Sequence, residues 1–271
     1  MEENAINKTL QECIIRAMDV EGMDTKIIKY LPYILQDHWE LGTPADKIIS
    51  AIKKHKRDHA NLDVLELGSG KGAASVKISS ELKCRCFGID AIEDFVEYAN
   101  NKAKEYSVSD ICTFEKNDVR TRIKTVGRYD VIVLGGIGPV FGNYYSTLSE
   151  LKLHLNDNGV ILIDDAYTED DSPTNNPGIV KKGELLEQIK NAGMTLAEEM
   201  LENNISGINE EYDSMFENIK KRCMELAEKR LDDKALFFEF IEKQKNEFDI
   251  MKTEIIPAML IIKMYQPAAF S

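Results

Sequence analysis

The stretch Asp63-Val-Leu-Glu-Leu-Gly-Ser-Gly-Lys-Gly-Ala-Ala74, followed at Gly88-Ile-Asp90 by a second apolar run ending on an acid, decides how this chain is read. Val64, Leu65 and Leu67 form the pattern of a buried strand, Gly68, Gly70 and Gly72 a tight turn, and a helix opens near Lys71. Such a unit exposes backbone N–H groups at a helix N-terminus and lets a ligand approach the main chain. An acid at the tip of the second strand can then accept both hydroxyls of a ribose. The unit reads as a nucleoside site.

Which nucleoside is decided by the residues around the glycines. A phosphate-cradling loop needs Gly-x-x-x-x-Gly-Lys-Ser/Thr. Here Lys71 is followed by Gly72, and Leu65 stands where the first glycine belongs. A dinucleotide fingerprint, Gly-x-Gly-x-x-Gly/Ala, is formally met by Gly68, Gly70 and Ala73, and keeps an NAD-dependent oxidoreductase as an alternative. Glu66-Leu-Gly-Ser-Gly-Lys-Gly72 resembles motif I of the class I S-adenosylmethionine-dependent methyltransferases, Glu/Asp-x-Gly-x-Gly-x-Gly. Glu66 separates the readings, because a carboxylate before the turn repels a pyrophosphate and suits the ammonium of a methionyl group. A binding or regulatory protein that keeps the fold without turnover is a further alternative.

The resemblance covers about residues 60–200 and implies S-adenosylmethionine as cofactor. It implies that Glu66, Gly68, Ser69 and Gly70 hold the methionyl end, and that Asp90 binds the ribose. Ala91 and Ile92 would line the adenine slot, Asp118 would accept from the adenine amino group, and the Val119 N–H would serve a ring nitrogen. The backbone at Gly135, with Gly136, would accept from the methionyl ammonium. Each acid also has a local reading: Glu66 could cap the turn, and Asp118 a short helix. Asp90 could form a capping box with Glu93.

Methyl transfer from a sulfonium demands positioning and exclusion of water rather than a fixed catalytic side chain. Candidates for a base lie after strands four and five (Tyr144, Tyr145, Asp164, Asp165 and Tyr167), with His38 in the segment before the core. Val160-Ile-Leu-Ile-Asp-Asp165 resembles the strand-five ligands of magnesium-dependent catechol-type methyltransferases. Those enzymes carry another Asp where this chain has Gly135, so no metal is expected. Trp39, the single tryptophan, is read either as a cap across the cofactor or as an anchor for the N-terminal arm.

Alternating apolar and amphipathic runs from Leu62 onward predict an α/β fold, a doubly wound, mostly parallel seven-stranded sheet with its last strand antiparallel. A helix is expected over Tyr144–Leu155, stopped by Asn156-Asp-Asn-Gly159, then strand five at Val160–Ile163 and a loop at Thr168–Pro177. Four regions follow: a helical cap over 1–59, the core over 60–202, a helical insertion over 203–253, and a final strand within 254–271. The insertion is expected to be a lid or a homodimer surface, its Met and Phe stripes being core more readily than pocket.

Composition narrows the partners. With 34 basic and 47 acidic residues the net charge is −13, which argues against nucleic acid and for a small-molecule acceptor. The basic run Lys53-Lys-His-Lys-Arg57 reads as a solvated helix end. The five cysteines show no metal-ligand spacing and suit a reducing compartment. No signal peptide or membrane span is legible, so a cytoplasmic protein is expected.

Overall fold

The computed structural model describes residues 9–18, 20–173, 178–201 and 205–265. Two periods of apolar residues build it. Helical spacing gives α1 (Leu10–Ala17), a 3-10 turn over Thr25–Tyr30, α2 (Leu31–Ile34) and α3 (Ala45–His55) before the sheet begins. Then strands and helices alternate: β1 (Asp63–Leu67), α4 (Ala73–Leu82), β2 (Arg85–Asp90), α5 (Glu93–Glu105), β3 (Cys112–Lys116), α6 (Val119–Arg122) and β4 (Tyr129–Gly135). They continue as α7 (Tyr144–Leu151), β5 (Leu155–Thr168), β6 (Val180–Lys181), α8 (Lys182–Asn191) and β7 (Met194–Leu201). Two long helices, α9 (Ile205–Lys229) and α10 (Lys234–Thr253), precede β8 (Ile256–Met264).

The sheet runs β3-β2-β1-β4-β5-β8-β7, with β6 pairing β5 off this path. β1 to β5 are parallel, and β8 runs antiparallel to both β5 and β7. The expected mostly parallel α/β sheet is therefore present, with one added two-residue strand. Because side chains alternate across a strand, Val64, Val131, Val133, Val160 and Leu162 fall into one buried cluster. Leu65, Leu67, Ile132, Leu134, Ile161 and Ile163 fall into the other. Strands apolar on both faces are those of a parallel sheet covered on both sides. Strand order reverses between β1 and β4, so the crevice at their carboxyl ends is where such a sheet takes its ligand.

Three expected boundaries move. α4 starts at Ala73, not Lys71, behind Gly72 in the left-handed region. The helix expected over Tyr144–Leu155 ends at Leu151, and one 3-10 turn, Lys152–His154, carries the chain into the sheet. β5 is far longer than Val160–Ile163. Its pairing with β4 slips from Tyr129↔Leu155 to Val131↔Val160, so Asn156–Gly159 is an irregularity inside the strand rather than a stop. Beyond Ile163 it continues because β8 pairs with it without a break from Val160↔Lys263 to Tyr167↔Ile256. Asp164 and Asp165 thus lie within a strand. The loop expected at Thr168–Pro177 is described only to residue 173, and the parts of the expected regions at 1–8, 202–204 and 266–271 lie outside the described residues.

The N-terminal cap and the insertion pack on each other as one helical layer. Ile27, Leu31, Ile34 and Leu35 share a buried cluster with Ile219, Cys223, Phe237 and Phe240. Polar contacts close its rim. The Tyr30 hydroxyl donates to Asp233 and the Tyr33 hydroxyl to Glu225, each at 2.5 Å, and Arg222 forks onto Asp37 at 2.6 and 2.7 Å. The buried stripe of α9 and α10 is thus met by this chain's own N-terminus. Among the described residues no helix is long and apolar enough to cross a membrane.

Candidate functional site

At the carboxyl ends of β1, β2 and β4 lies a cleft with about 1070 Å³ of space free of protein atoms, its open mouth included. Its floor is the glycine turn. Gly68, Gly70 and Gly72 have φ of 70°, 50° and 74°, a conformation costly for any other L residue. Gly68 and Ser69 both donate their N–H to the Ile89 carbonyl (2.9 and 3.0 Å), which ties the turn to the end of β2. Gly72 serves packing instead. A Cβ there would lie 2.6 Å from Ala99 and from the Phe114 ring, so its absence lets α4 close on α5 and β3.

Asp90 is the last residue of β2 and is 9% exposed. Its carboxylate accepts from Gly70 N–H at 2.7 Å and from Ile92 N–H at 2.9 Å. Burial pushes its pKa up, and these N–H donors partly oppose that. The alternative capping box with Glu93 does not form, since the N-cap of α5 is Ile92. Ser69 Oγ, buried in the cleft wall, has no hydrogen-bond partner among the described residues. Such an atom is costly unless a ligand or water completes it.

Glu66 is buried under the turn, where its Oε2 accepts from the Ser75 hydroxyl at 2.5 Å and the Ser75 N–H at 3.2 Å. Burial raises its pKa to about 7 against those two bonds. Asp118 caps α6 through the Arg120 N–H at 2.9 Å, and the Arg120 guanidinium grips the same carboxylate, down to 2.6 Å. Burial would raise its pKa, but Arg120 outweighs it and the group titrates below its ordinary range. Ala91, Ile92, Val119 and Gly135 also line the cleft, so the ten residues expected to hold a cofactor are brought together on one wall.

None of the six candidate bases lines that cleft. His38 turns its Nε2 to Asn218 on α9 at 3.3 Å, and burial lowers its pKa. Tyr144 donates to Asp165 at 2.5 Å, and burial raises both pKa values. The remaining candidates also turn elsewhere. Asp164 accepts from the Thr43 hydroxyl at 2.7 Å and lies 3.5 Å from the Lys47 ammonium. The Tyr145 side chain is exposed, and the Tyr167 hydroxyl accepts from Lys182 at 3.1 Å. Among the described residues no group of three or more His, Cys, Asp or Glu side chains could hold a metal ion.

Sequence reading expected an N-terminal cap over the cleft but not the lysine that holds it. Lys71, inside the glycine turn and 4% exposed, donates to the Leu35 carbonyl at 2.5 Å and the His38 carbonyl at 2.7 Å. Burial lowers its pKa to about 8. In return Trp39 Nε1 donates to the Lys71 carbonyl at 3.0 Å, and its ring packs on Tyr106 at 5.2 Å. Trp39 lines the cleft and, through this bond, ties the arm to the glycine turn. Gly42 then crosses the tip of β4, where a Cβ would stand 2.8 Å from the Gly135 carbonyl oxygen. The one local sign of this contact was Gly42 itself.

A family model described as a methyltransferase domain matches residues 58–229. The chain belongs to that family. The superfamily is the class I S-adenosylmethionine-dependent one that Glu66–Gly72 resembles, and the oxidoreductase alternative is left without support. Among solved structures, this methyltransferase is similar to a SAM-dependent methyltransferase from Geobacter sulfurreducens in complex with S-adenosyl-L-homocysteine. The identity is 18%, the TM-score 0.71, and 88% of this chain and 98% of that one are covered. A SAM-dependent methyltransferase from Thiobacillus denitrificans, also in complex with S-adenosyl-L-homocysteine, gives 18%, 0.68, 88% and 98%. YjhP from E. coli gives 16%, 0.70, 88% and 100%. Identities this low establish the shared fold. Nothing among curated proteins matches the chain.

Proposed function

We propose that this methyltransferase moves the methyl group of S-adenosylmethionine onto a small-molecule acceptor in the cleft between sheet and helical cap. The observation that carries the cofactor is the buried Asp90 carboxylate at the end of β2, fixed by Gly70 N–H and Ile92 N–H, with the Ser69 hydroxyl unsatisfied among the described residues. Each Asp90 oxygen accepts one protein N–H and keeps a lone pair for a ribose hydroxyl. Glu66 and the Gly135 carbonyl, below and beside the turn, suit a methionyl ammonium; Ala91, Ile92, Val119 and Asp118 suit an adenine. The donor set therefore fits this nucleoside. The structures similar in fold that hold S-adenosyl-L-homocysteine support the same cofactor.

When bound, the cofactor supplies an electrophilic methyl on a sulfonium. The protein's part is to orient and to exclude water, through the arm that Lys71 and Trp39 latch over the turn. The insertion belongs to that lid in this reading rather than to a dimer surface, because its buried stripe is met by the N-terminal cap. The roof that the arm forms and a net charge of −13 favour a small molecule over a nucleic acid. Calorimetric titration with S-adenosylmethionine, S-adenosylhomocysteine and NAD tests the reading. Micromolar binding of the first two alone is expected, and binding of NAD alone would overturn it. Asp90→Ala is expected to weaken S-adenosylhomocysteine by about 1.5–3 kcal/mol, and unchanged affinity would remove the ribose assignment.

A further inference from the structure

The lining of the cleft is of two kinds. At the strand tips it is polar, with the glycine turn, Asp90 and Asp118. An apolar set faces the same space: Leu10 and Ile14 of α1, Met18 that ends it, Leu41, and Ile137 and Val140 of the loop after β4. Leu41 and Ile137 lie against the glycine turn, 3.4 and 2.5 Å from where Cβ atoms on Gly70 and Gly68 would stand. Ile14, Met18 and Leu41 pack against the helical cluster, and Ile137 and Val140 against a cluster of the sheet, so the cleft lies where the two meet.

Among the described residues, the charged side chains that reach the cleft already have partners within the protein. Glu40 accepts from Lys77 at 2.8 Å and from the Ala45 N–H at 3.1 Å. Lys71 is held by two carbonyls, Arg120 by Asp118, Glu66 by Ser75, and Asp90 by two N–H groups. Against these apolar residues a charged molecule would lose hydration, and Glu40, Asp118 and Arg120 are already ion-paired. An apolar one would gain in proportion to the surface it buries. We infer that the acceptor is an uncharged, apolar small molecule seated between α1 and the Ile137–Val140 loop. The inference rests on the methyltransferase reading and narrows its acceptor.

Binding to an unreactive complex tests it. The full chain, saturated with S-adenosylhomocysteine, is titrated calorimetrically with n-alkanols from butanol to octanol. Affinity is expected to rise about three- to fourfold per methylene. Octanoate and octylammonium are expected to bind at least about tenfold more weakly than octanol. Ile14→Asp is expected to abolish the chain-length dependence while leaving S-adenosylhomocysteine affinity within about twofold. Ile14→Ala, the milder change, is expected to weaken octanol about threefold to tenfold. A flat alkanol series, a charged analogue equal to octanol, or Ile14 variants that bind octanol as the parent does would overturn the inference. Loss of S-adenosylhomocysteine binding alone would count against the cofactor assignment instead, and the same series on the free protein would still decide the apolar seat.

Discussion

The three glycines of the turn are not interchangeable. At Gly72 an added Cβ meets Ala99 and Phe114 at 2.6 Å with φ at 74°, so Gly72→Ala is expected to cost about 2–4 kcal/mol in chemical denaturation. At Gly68, with φ at 70°, the same atom would meet Cγ2 of the branched Ile137 side chain at 2.5 Å, so backbone and packing both oppose a side chain there. Glu66 sets a pH dependence. Its folded pKa, about 7, lies above the ordinary carboxylate value, so the folded state holds the extra proton. The associated stability is complete below about pH 4.5 and is lost as pH rises through 7, roughly 3 kcal/mol in all. Urea denaturation at pH 5 and pH 8 should show the parent losing stability relative to Glu66→Gln, and a constant gap would refute the assignment. The sequence showed these residues because their spacing is local. It left open what Asp118 does, because Arg120, two residues on, occupies the carboxylate whether or not a ligand is near.

Among the elements, the arm between α2 and α3 is held most economically. Lys71→Met leaves the Leu35 and His38 carbonyls without their donor, and hydrogen bonds to a charged group contribute about 1.5–3 kcal/mol each. Hydrogen exchange over residues 31–43 is expected to quicken by tenfold or more, with the sheet amides unchanged; uniform protection would show that Trp39 suffices as the latch. β5 teaches a different lesson. Its apolar run, Val160–Ile163, was legible, but its true ends were not. Asn156–Gly159 has turn chemistry, yet pairing of Leu155 with Tyr129 keeps it within the strand, and β8 carries the strand on through Asp164 and Asp165. Polar residues there answer to neighbouring strands and to Thr43, none of which is close in the chain.

At the scale of the whole molecule, sheet and cap line the cleft together, so binding there should stabilise them together. S-adenosylhomocysteine at a hundredfold its Kd is expected to add about 2.7 kcal/mol in one cooperative transition, with slowed exchange in α1 as well as in β1 and β2. Protection confined to the strands would show that the cap does not close on the ligand. The sequence by itself determined the strand–turn–helix unit, the acid at the end of β2, the alternating elements and the absence of a second acid at Gly135. Each of these is written in steric need or in periods of two and 3.6 residues over a short span. Only the tertiary structure decided that Lys71 faces the arm, that Asp164 and Tyr144–Asp165 are structural partners, and that the insertion packs on the N-terminal cap. Those contacts join residues from about 20 to about 230 positions apart. No local pattern encodes them, since a buried stripe states that a helix needs a partner without saying which one.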